Sequence, residues 1–298
     1  MGKIIEGLKQ NTPEWLEWRK DKIGGSDIAA IMGVSKWCTP WQLYMRKLSL
    51  ISEQDENEAM REGKRRESEA LAIFNAHYKC NCIPVVMQHE EYPWMIASLD
   101  GWDEEKRIAV EIKCPGKDDH ETAKIFCDIP IHYHPQLQHQ MCVLGIPNMW
   151  YMSYHKEDWA SVLVFRSEYY TKDMIEKGKD FMRRIKELDP PDLCDRDYVE
   201  KSNRHWQYAV RNYNERKLEK ERVERWYEEA RQELITLADN HNCKGSGIRM
   251  TKSVRKGNID FLQIPELKDV DLEKYRKEST ITWRISEYNE MEMHNDHI

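Results

Sequence analysis

Residues 98–115 read SLDGWDEEKRIAVEIKCP, and the fold turns on this stretch. Its first apolar run ends at Asp100, its second carries Glu111 and Lys113 two positions apart, and Asp103-Glu104-Glu105-Lys106 between them reads as a turn. The pattern predicts an antiparallel hairpin. Side chains alternate along a strand, so Glu111 and Lys113 share one face while Val110 and Ile112 point to the opposite, packed face. Pairing across the turn then brings Asp100 and Glu111 to one end of the hairpin. Two carboxylates and a lysine on a rigid sheet suit a hard divalent cation, with the lysine beside a water or a phosphate oxygen. A solvated hairpin decorated with charge is the rival reading in a chain that is 33% charged. Asp100 follows Met95-Ile96-Ala97 and Lys113 closes an otherwise apolar strand, where an uncompensated charge is costly; the site is therefore favoured.

Outward from the hairpin, the chain predicts helix, strands, helix, strands. Toward the N-terminus, a helix over about Asn57 to Tyr78 places Gly63, Glu67, Ala70, Phe74 and Tyr78 at spacings of three or four. Shorter helices precede it, one with Ser26 as its N-cap in Gly24-Gly25-Ser26-Asp27 and one carrying Trp41, Leu43, Tyr44 and Leu48. Strands are expected at Ile83 to Met87, Trp94 to Leu99, Arg107 to Cys114, Met149 to Tyr154 and Ala160 to Arg166, with helices over about Pro135 to Leu144 and Thr171 to Glu187. This is an α/β sandwich pattern ended by Pro190-Pro191. The expected organisation is a core at 1–190, a long amphipathic helical region at 191–244 and a small β-rich unit with a polar tail at 245–298. In the second region Val223, Trp226, Ala230, Leu234 and Leu237 form a stripe, an interface or partner-binding arm or a surface packed on the core through Trp226 and Leu234. In the third, Ile259 to Ile264 and Thr280 to Ile285 read as strands, and Lys244, Arg249, Lys252, Arg255 and Lys256 form a basic cluster, suited to a DNA backbone or to a solvated face.

Composition narrows the function classes. A formal charge of −7 argues against a generally basic DNA-coating protein, so any nucleic-acid contact is a local groove. No apolar run reaches the roughly 20 residues needed to span a bilayer, and the first residues lack the apolar stretch of a signal peptide, which predicts a cytoplasmic protein. The cysteines, without a CxxC pair, read as reduced thiols, and their spacing supports no iron–sulfur cluster. His132, His134 and His139, with Cys142 nearby, do not share a clean zinc-ligand face.

With Asp100 followed by Glu111-Ile112-Lys113, the chain resembles the PD-(D/E)xK nuclease superfamily, and its flanks resemble the YqaJ-type viral-recombinase branch that includes phage lambda exonuclease. The stretches carrying the resemblance are IGGSDIAAIMGVSKWCTPWQLYMRK, MREGKRRESEALAIF, EYPWMIASLDGW, VEIKCP and IPIHYHPQLQHQM, in the family's order over roughly residues 14 to 166. The resemblance implies a restriction-endonuclease-like core, a central mixed sheet flanked by helices, with the C-terminal helical arm and β-rich unit appended. It implies Asp100 and Glu111 as principal metal ligands, the Ile112 carbonyl as a further one, Glu67 as the helix-borne carboxylate, and Lys113 as the residue that orients the attacking water. Glu69 competes with Glu67 but falls on another helix face. Gln136 matches the glutamine of the family's next helix, with Gln138 and Gln140 as rivals. Arg19 and Ser26 keep the family's spacing for a pocket that holds a terminal 5′ phosphate, against plain roles as a surface cation and a helix cap.

What the resemblance implies as a whole is a Mg2+-dependent exonuclease, with Mn2+ as a substitute and two ions per site, resecting linear double-stranded DNA from 5′ to 3′ to leave single-stranded tails for recombination. A single-strand annealing protein is the implied partner, a homotrimer the implied assembly, and the host cytoplasm the location for a phage-encoded chain. A structure-specific or restriction-like endonuclease and a non-catalytic DNA-binding scaffold are the alternatives.

Overall fold

The structure is a computed structural model that describes residues 2–10, 12–52 and 58–254, together with Gly257, Ile264 and Val270. The chain divides into two compact units, Met1–Lys201 and Ser202–Ile298.

The first unit is built on a mixed six-stranded sheet. Its strands are β1 (Lys3–Ile4), β2 (Ile83–Gln88), β3 (Ile96–Asp103), β4 (Ile108–Lys113), β5 (Asn148–His155) and β6 (Asp158–Phe165), arranged in chain order. Every neighbouring pair is antiparallel except β4 and β5, which run parallel with Lys113 opposite Ser153. A parallel pair needs a crossover. Helices α5 (Lys117–Phe126) and α6 (His134–Leu144) supply it. The sequence pattern did not show α5, whose segment carries few apolar residues; it is tied to the sheet by His120, whose Nδ1 lies 2.8 Å from Ser153 Oγ beside Lys113.

Alternation along β4 sorts the two faces as expected. Val110 and Ile112 are fully buried with Ala70 and Phe74 of α4 (Glu58–Tyr78), while Ala109 joins Leu137 and Met141 of α6 on the other side. Helices α1 (Pro13–Trp18), α2 (Gly25–Ile31), α3 (Pro40–Lys47) and α7 (Glu168–Glu187) complete the unit, and Ile28, Leu43 and Met174 belong to the α6-side core. Gly101 permits the close approach of α4: a Cβ there would stand within 3.0 Å of Val110 Cγ1, Cys82 Cβ and Leu71 Cδ1. Asp100 is thus followed by the one residue type this packing accepts.

One expectation is corrected. Ser26 is not the N-cap of α2; Gly24 is, and the Asp27 carboxylate closes the turn by accepting from Gly24 N at 3.0 Å. A buried Asp27 serves this end better than a Ser one residue earlier because it also pairs with two cations, described below.

The second unit contains α8 (Arg204–Leu237) and a hairpin of β7 (Cys243–Gly245) and β8 (Ile248–Met250), turned at Ser246-Gly247, both with positive φ. No residue of α8 is buried, and Trp226 and Leu234 are 58% and 39% exposed. Asn203 caps the helix by accepting from Trp206 N. The strands expected at Ile259 to Ile264 and Thr280 to Ile285 fall outside the described residues, as do Arg255 and Lys256; Ile264 itself is described and is not in a strand. Among the described residues no helix is long and apolar enough to cross a membrane.

Candidate active site

Strand pairing places Asp100 and Glu111 on adjacent strands, with Gly101 opposite Val110 in register. Asp100 Oδ2 accepts a 2.8 Å hydrogen bond from Ile112 N, which binds the first carboxylate to the main chain between Glu111 and Lys113. Glu111 is only 2% exposed. Its Oε1 accepts from Lys113 Nζ at 2.5 Å and from Gln136 Nε2, and its Oε2 accepts from Gln140 Nε2 at 2.6 Å.

The two glutamines lie one turn apart on α6, so they share a face. Gln140 also donates to Ser98 O, and Ser98 Oγ accepts from Trp15 Nε1 at 3.1 Å, which connects α1 to the same corner. Gln138 points elsewhere, donating to Phe165 O and accepting from Ser167 N. Of the three candidate glutamines the structure therefore brings two, Gln136 and Gln140, onto Glu111. Their four-residue separation was the available signal.

Electrostatics follow from this crowding. Burial, and then Glu111, push Asp100 well above the usual carboxylate range; Glu67 of α4 adds to the shift, while Lys113 and the Ile112 N–H offset part of it. Glu67 thus lies within electrostatic reach of Asp100, whereas Glu69 hydrogen-bonds Tyr154. Lys113 moves upward: burial opposes its charge, but Glu111 and Asp100 outweigh burial and keep the ammonium protonated. The ring of Tyr133 lies 5.6 Å from Lys113 Nζ, a cation–π distance that steadies the ammonium.

The donor set fits a hard divalent cation. A carboxyl driven toward protonation by neighbouring carboxylates is relieved by positive charge, and Asp100, Glu111 and Glu67 offer the oxygens that Mg2+ or Mn2+ prefers. Among the described residues no three such side chains already stand in cage geometry, the Glu111 oxygens being turned to Lys113 and the glutamines.

Arg19 and Ser26 also meet. Arg19 Nη2 is 3.5 Å from Ser26 Oγ and 3.4 Å from both oxygens of Asp27, and its guanidinium carbon stands 4.5 Å above the Trp15 ring. Asp27, absent from the sequence-based set, is the anchor here: Lys47 Nζ lies 2.9 Å from its Oδ2, with the two side chains 9% and 11% exposed. Gly25 joins this corner to the carboxylates, since a Cβ there would be 3.0 Å from Gln136 Cγ. The histidines do not gather. His139 Nε2 lies 3.0 Å from Ile96 O in the core, His132 packs edge-on to Trp37, and His134 packs against Tyr170.

With this geometry in place, comparison with known proteins shows what the first unit is similar to. The profile of the YqaJ-like viral recombinase domain matches residues 14–147, a span holding α2 to α6, all of α1 but Pro13 and the site residues named above. Residues 14–147, a little under half of the chain, are thus similar to the YqaJ-like viral recombinase domain. The uncharacterized protein YqaJ of Bacillus subtilis (strain 168) is 29% identical over 147 residues, covering 48% of this chain and 45% of that protein; the chain therefore spans less than half the length of this curated relative. Among solved structures, the alkaline exonuclease LHK-Exo of Laribacter hongkongensis superposes with a TM-score of 0.52 at 21% identity, over 59% of this chain and 94% of the other. The same enzyme in complex with dAMP gives 0.51 at 21% identity, over the same shares of both chains. At that identity the likeness establishes the fold alone, the mixed α/β core expected from the sequence.

Proposed function

We propose that this chain is a metal-dependent deoxyribonuclease that resects linear duplex DNA from 5′ ends, leaving single-stranded tails for recombination. The observation that carries the reading is the convergence at Glu111: a buried carboxylate held by Lys113, Gln136 and Gln140, beside Asp100 and within one residue's packing of the Arg19–Ser26 corner. The YqaJ-like domain and the exonuclease fold support it.

Two Mg2+ ions, when bound by Asp100, Glu111, Glu67 and the Ile112 carbonyl, supply Lewis acidity and a readily deprotonated water. The remaining work falls to the chain. Lys113 orients the attacking water and offsets the charge that grows on the phosphoryl oxygens. Gln136 and Gln140 fix the direction of the Glu111 oxygens. Arg19 grips a terminal 5′ phosphate through charge-assisted hydrogen bonds, with the Ser26 hydroxyl as a second donor. Gly25, packed on Gln136, keeps that pocket next to the reacting phosphodiester.

The test is digestion of end-labelled linear duplex bearing 5′-phosphate or 5′-hydroxyl ends, with Mg2+ or chelator, beside Glu111→Ala and Lys113→Ala variants and a covalently closed circle. Progressive loss from phosphorylated ends, abolished by chelator and by either substitution, is expected. Cutting of the circle would replace the exonuclease by an endonuclease, and binding without cleavage would leave a scaffold.

A further inference from the structure

Helix α8 is 34 residues long, about 50 Å, and none of it is buried. Large apolar side chains stand along it in water: Trp206 is 51%, Tyr227 69% and Leu237 74% exposed. Helices of this length draw most of their stability from burying an apolar face. The spacing of these residues is a heptad. Trp206, Tyr213, Tyr227 and Leu234 recur at multiples of seven, the first position of the seam. Ala209, Val223, Ala230 and Leu237 stand at the second position, three residues further on each time. Only Arg216 and Lys220 interrupt the seam, at its middle. A strict seven-residue repeat winds left-handedly around a partner helix.

Charge and size choose that partner and its direction. A parallel second copy would face Arg216 with Arg216 and Lys220 with Lys220 in adjoining layers, and would set Glu219 beside Glu224. All three contacts are repulsive. An antiparallel copy removes every one of them. Lys220 then faces Val223 of the second copy, and Arg216 faces the ring of its Tyr227, a favourable cation–π pairing. In the same register Tyr213 faces Ala230 and Leu234 faces Ala209, so large side chains meet small ones and interdigitate. Along one flank Lys217 faces Glu224, and the twofold axis repeats the pair. The surface is self-complementary, as an isologous interface must be.

We propose that α8 is a pairing arm that joins two copies of this chain through an antiparallel two-helix coiled coil. The two cations at the centre of the seam set the direction by making the parallel alternative repulsive, much as single polar seam residues fix register elsewhere.

Sedimentation equilibrium of the full chain tests it. An even number of copies is expected, and the Val223→Glu, Leu234→Glu double variant should halve the mass. A wild-type monomer or an odd copy number overturns the proposal. A second measurement does not depend on that variant folding: oxidation of a Tyr213→Cys, Ala230→Cys chain, followed by peptide mapping. Positions 213 and 230 of one helix are about 25 Å apart, so a bond between them joins two copies. That bond is expected, and Tyr213→Cys alone should give no 213-to-213 bond. A 213-to-213 bond, or no bond between 213 and 230, overturns the pairing.

Discussion

Gln140 Nε2 stands 2.6 Å from Glu111 Oε2, and one turn earlier Gln136 Nε2 reaches the other oxygen of the same carboxylate. At 2% exposure Glu111 depends on these donors and on Lys113 rather than on water. Gln140 serves it at a cost, because its own Oε1 is buried without a hydrogen-bond partner, an arrangement worth about 1–3 kcal/mol of lost solvation. The residue's value to the fold therefore lies in its amide nitrogen, which also ties Ser98 O into the corner.

A prediction follows for Gln140 as a positioning residue. Gln140→Ala should lower the single-turnover cleavage rate by about 10- to 100-fold, the usual effect of removing a group that orients a ligand. Affinity for DNA ends, measured by anisotropy in chelator, should stay nearly constant. A loss confined to affinity, with the rate unchanged, would instead put Gln140 in contact with substrate.

Arg19 should govern end chemistry rather than cleavage. Arg19→Ala is expected to shrink the rate advantage of 5′-phosphate over 5′-hydroxyl ends by about tenfold or more, the equivalent of one charge-assisted hydrogen bond of about 1.5–3 kcal/mol. Arg19→Lys should recover only part of it, since lysine keeps the charge but loses the planar fork and its place over Trp15. An unchanged ratio in both variants would remove Arg19 from the pocket.

The hairpin was legible because strands obey a period of two: Glu111 and Lys113 could be assigned one face from Val110 and Ile112, and pairing across the turn brought Asp100 to the same end. Helix spacing likewise made α4 and α6 readable. What stayed hidden depends on contacts distant in sequence. Asp27 looks like an ordinary acid until Lys47, 20 residues on, closes over it. Gln140 was one of three glutamines until the packing of α6 on the sheet set its amide against Glu111 and Ser98 O. Helix α5 is held by His120 and Ser153 across the β4–β5 crossover, a tie that no local period encodes.

Gly101 provides a test of packing independent of chemistry. A methyl group there meets Val110 Cγ1 at 2.7 Å, with Cys82 Cβ and Leu71 Cδ1 at 2.8 Å, the first on β4, the second just before β2 and the third on α4. Overpacking of this kind costs about 1–3 kcal/mol. Gly101→Ala should lower the midpoint of urea unfolding accordingly, and because α4 carries Glu67, activity should fall as well. A variant as stable as the parent would mean that α4 moves aside freely.

Stability should decline in two separable steps as pH falls. His139 is held down to about 4, chiefly by burial, against an ordinary value near 6.5; its hydrogen bond to Ile96 O only partly opposes this. The folded state keeps it neutral while the unfolded chain takes up a proton, so stability is complete above about pH 6.5 and is lost between there and about pH 4. The difference corresponds to about 3 kcal/mol. His132 and His134, also lowered by burial, act in the same direction. Asp27 works lower. Burial would raise it, but Lys47 and Arg19 outweigh burial and hold it far below the usual carboxylate range. Its contribution is therefore present above about pH 4 and lost only as pH drops toward its folded value. Urea unfolding from pH 7.5 to 3 should show the first decline flattened in His139→Gln and the second removed in Asp27→Asn. That second variant also leaves Lys47 buried without its partner, and should lose about 3–5 kcal/mol at neutral pH. A His139→Gln chain with the parent's slope between pH 6.5 and 4 would assign that decline to His132 and His134 instead.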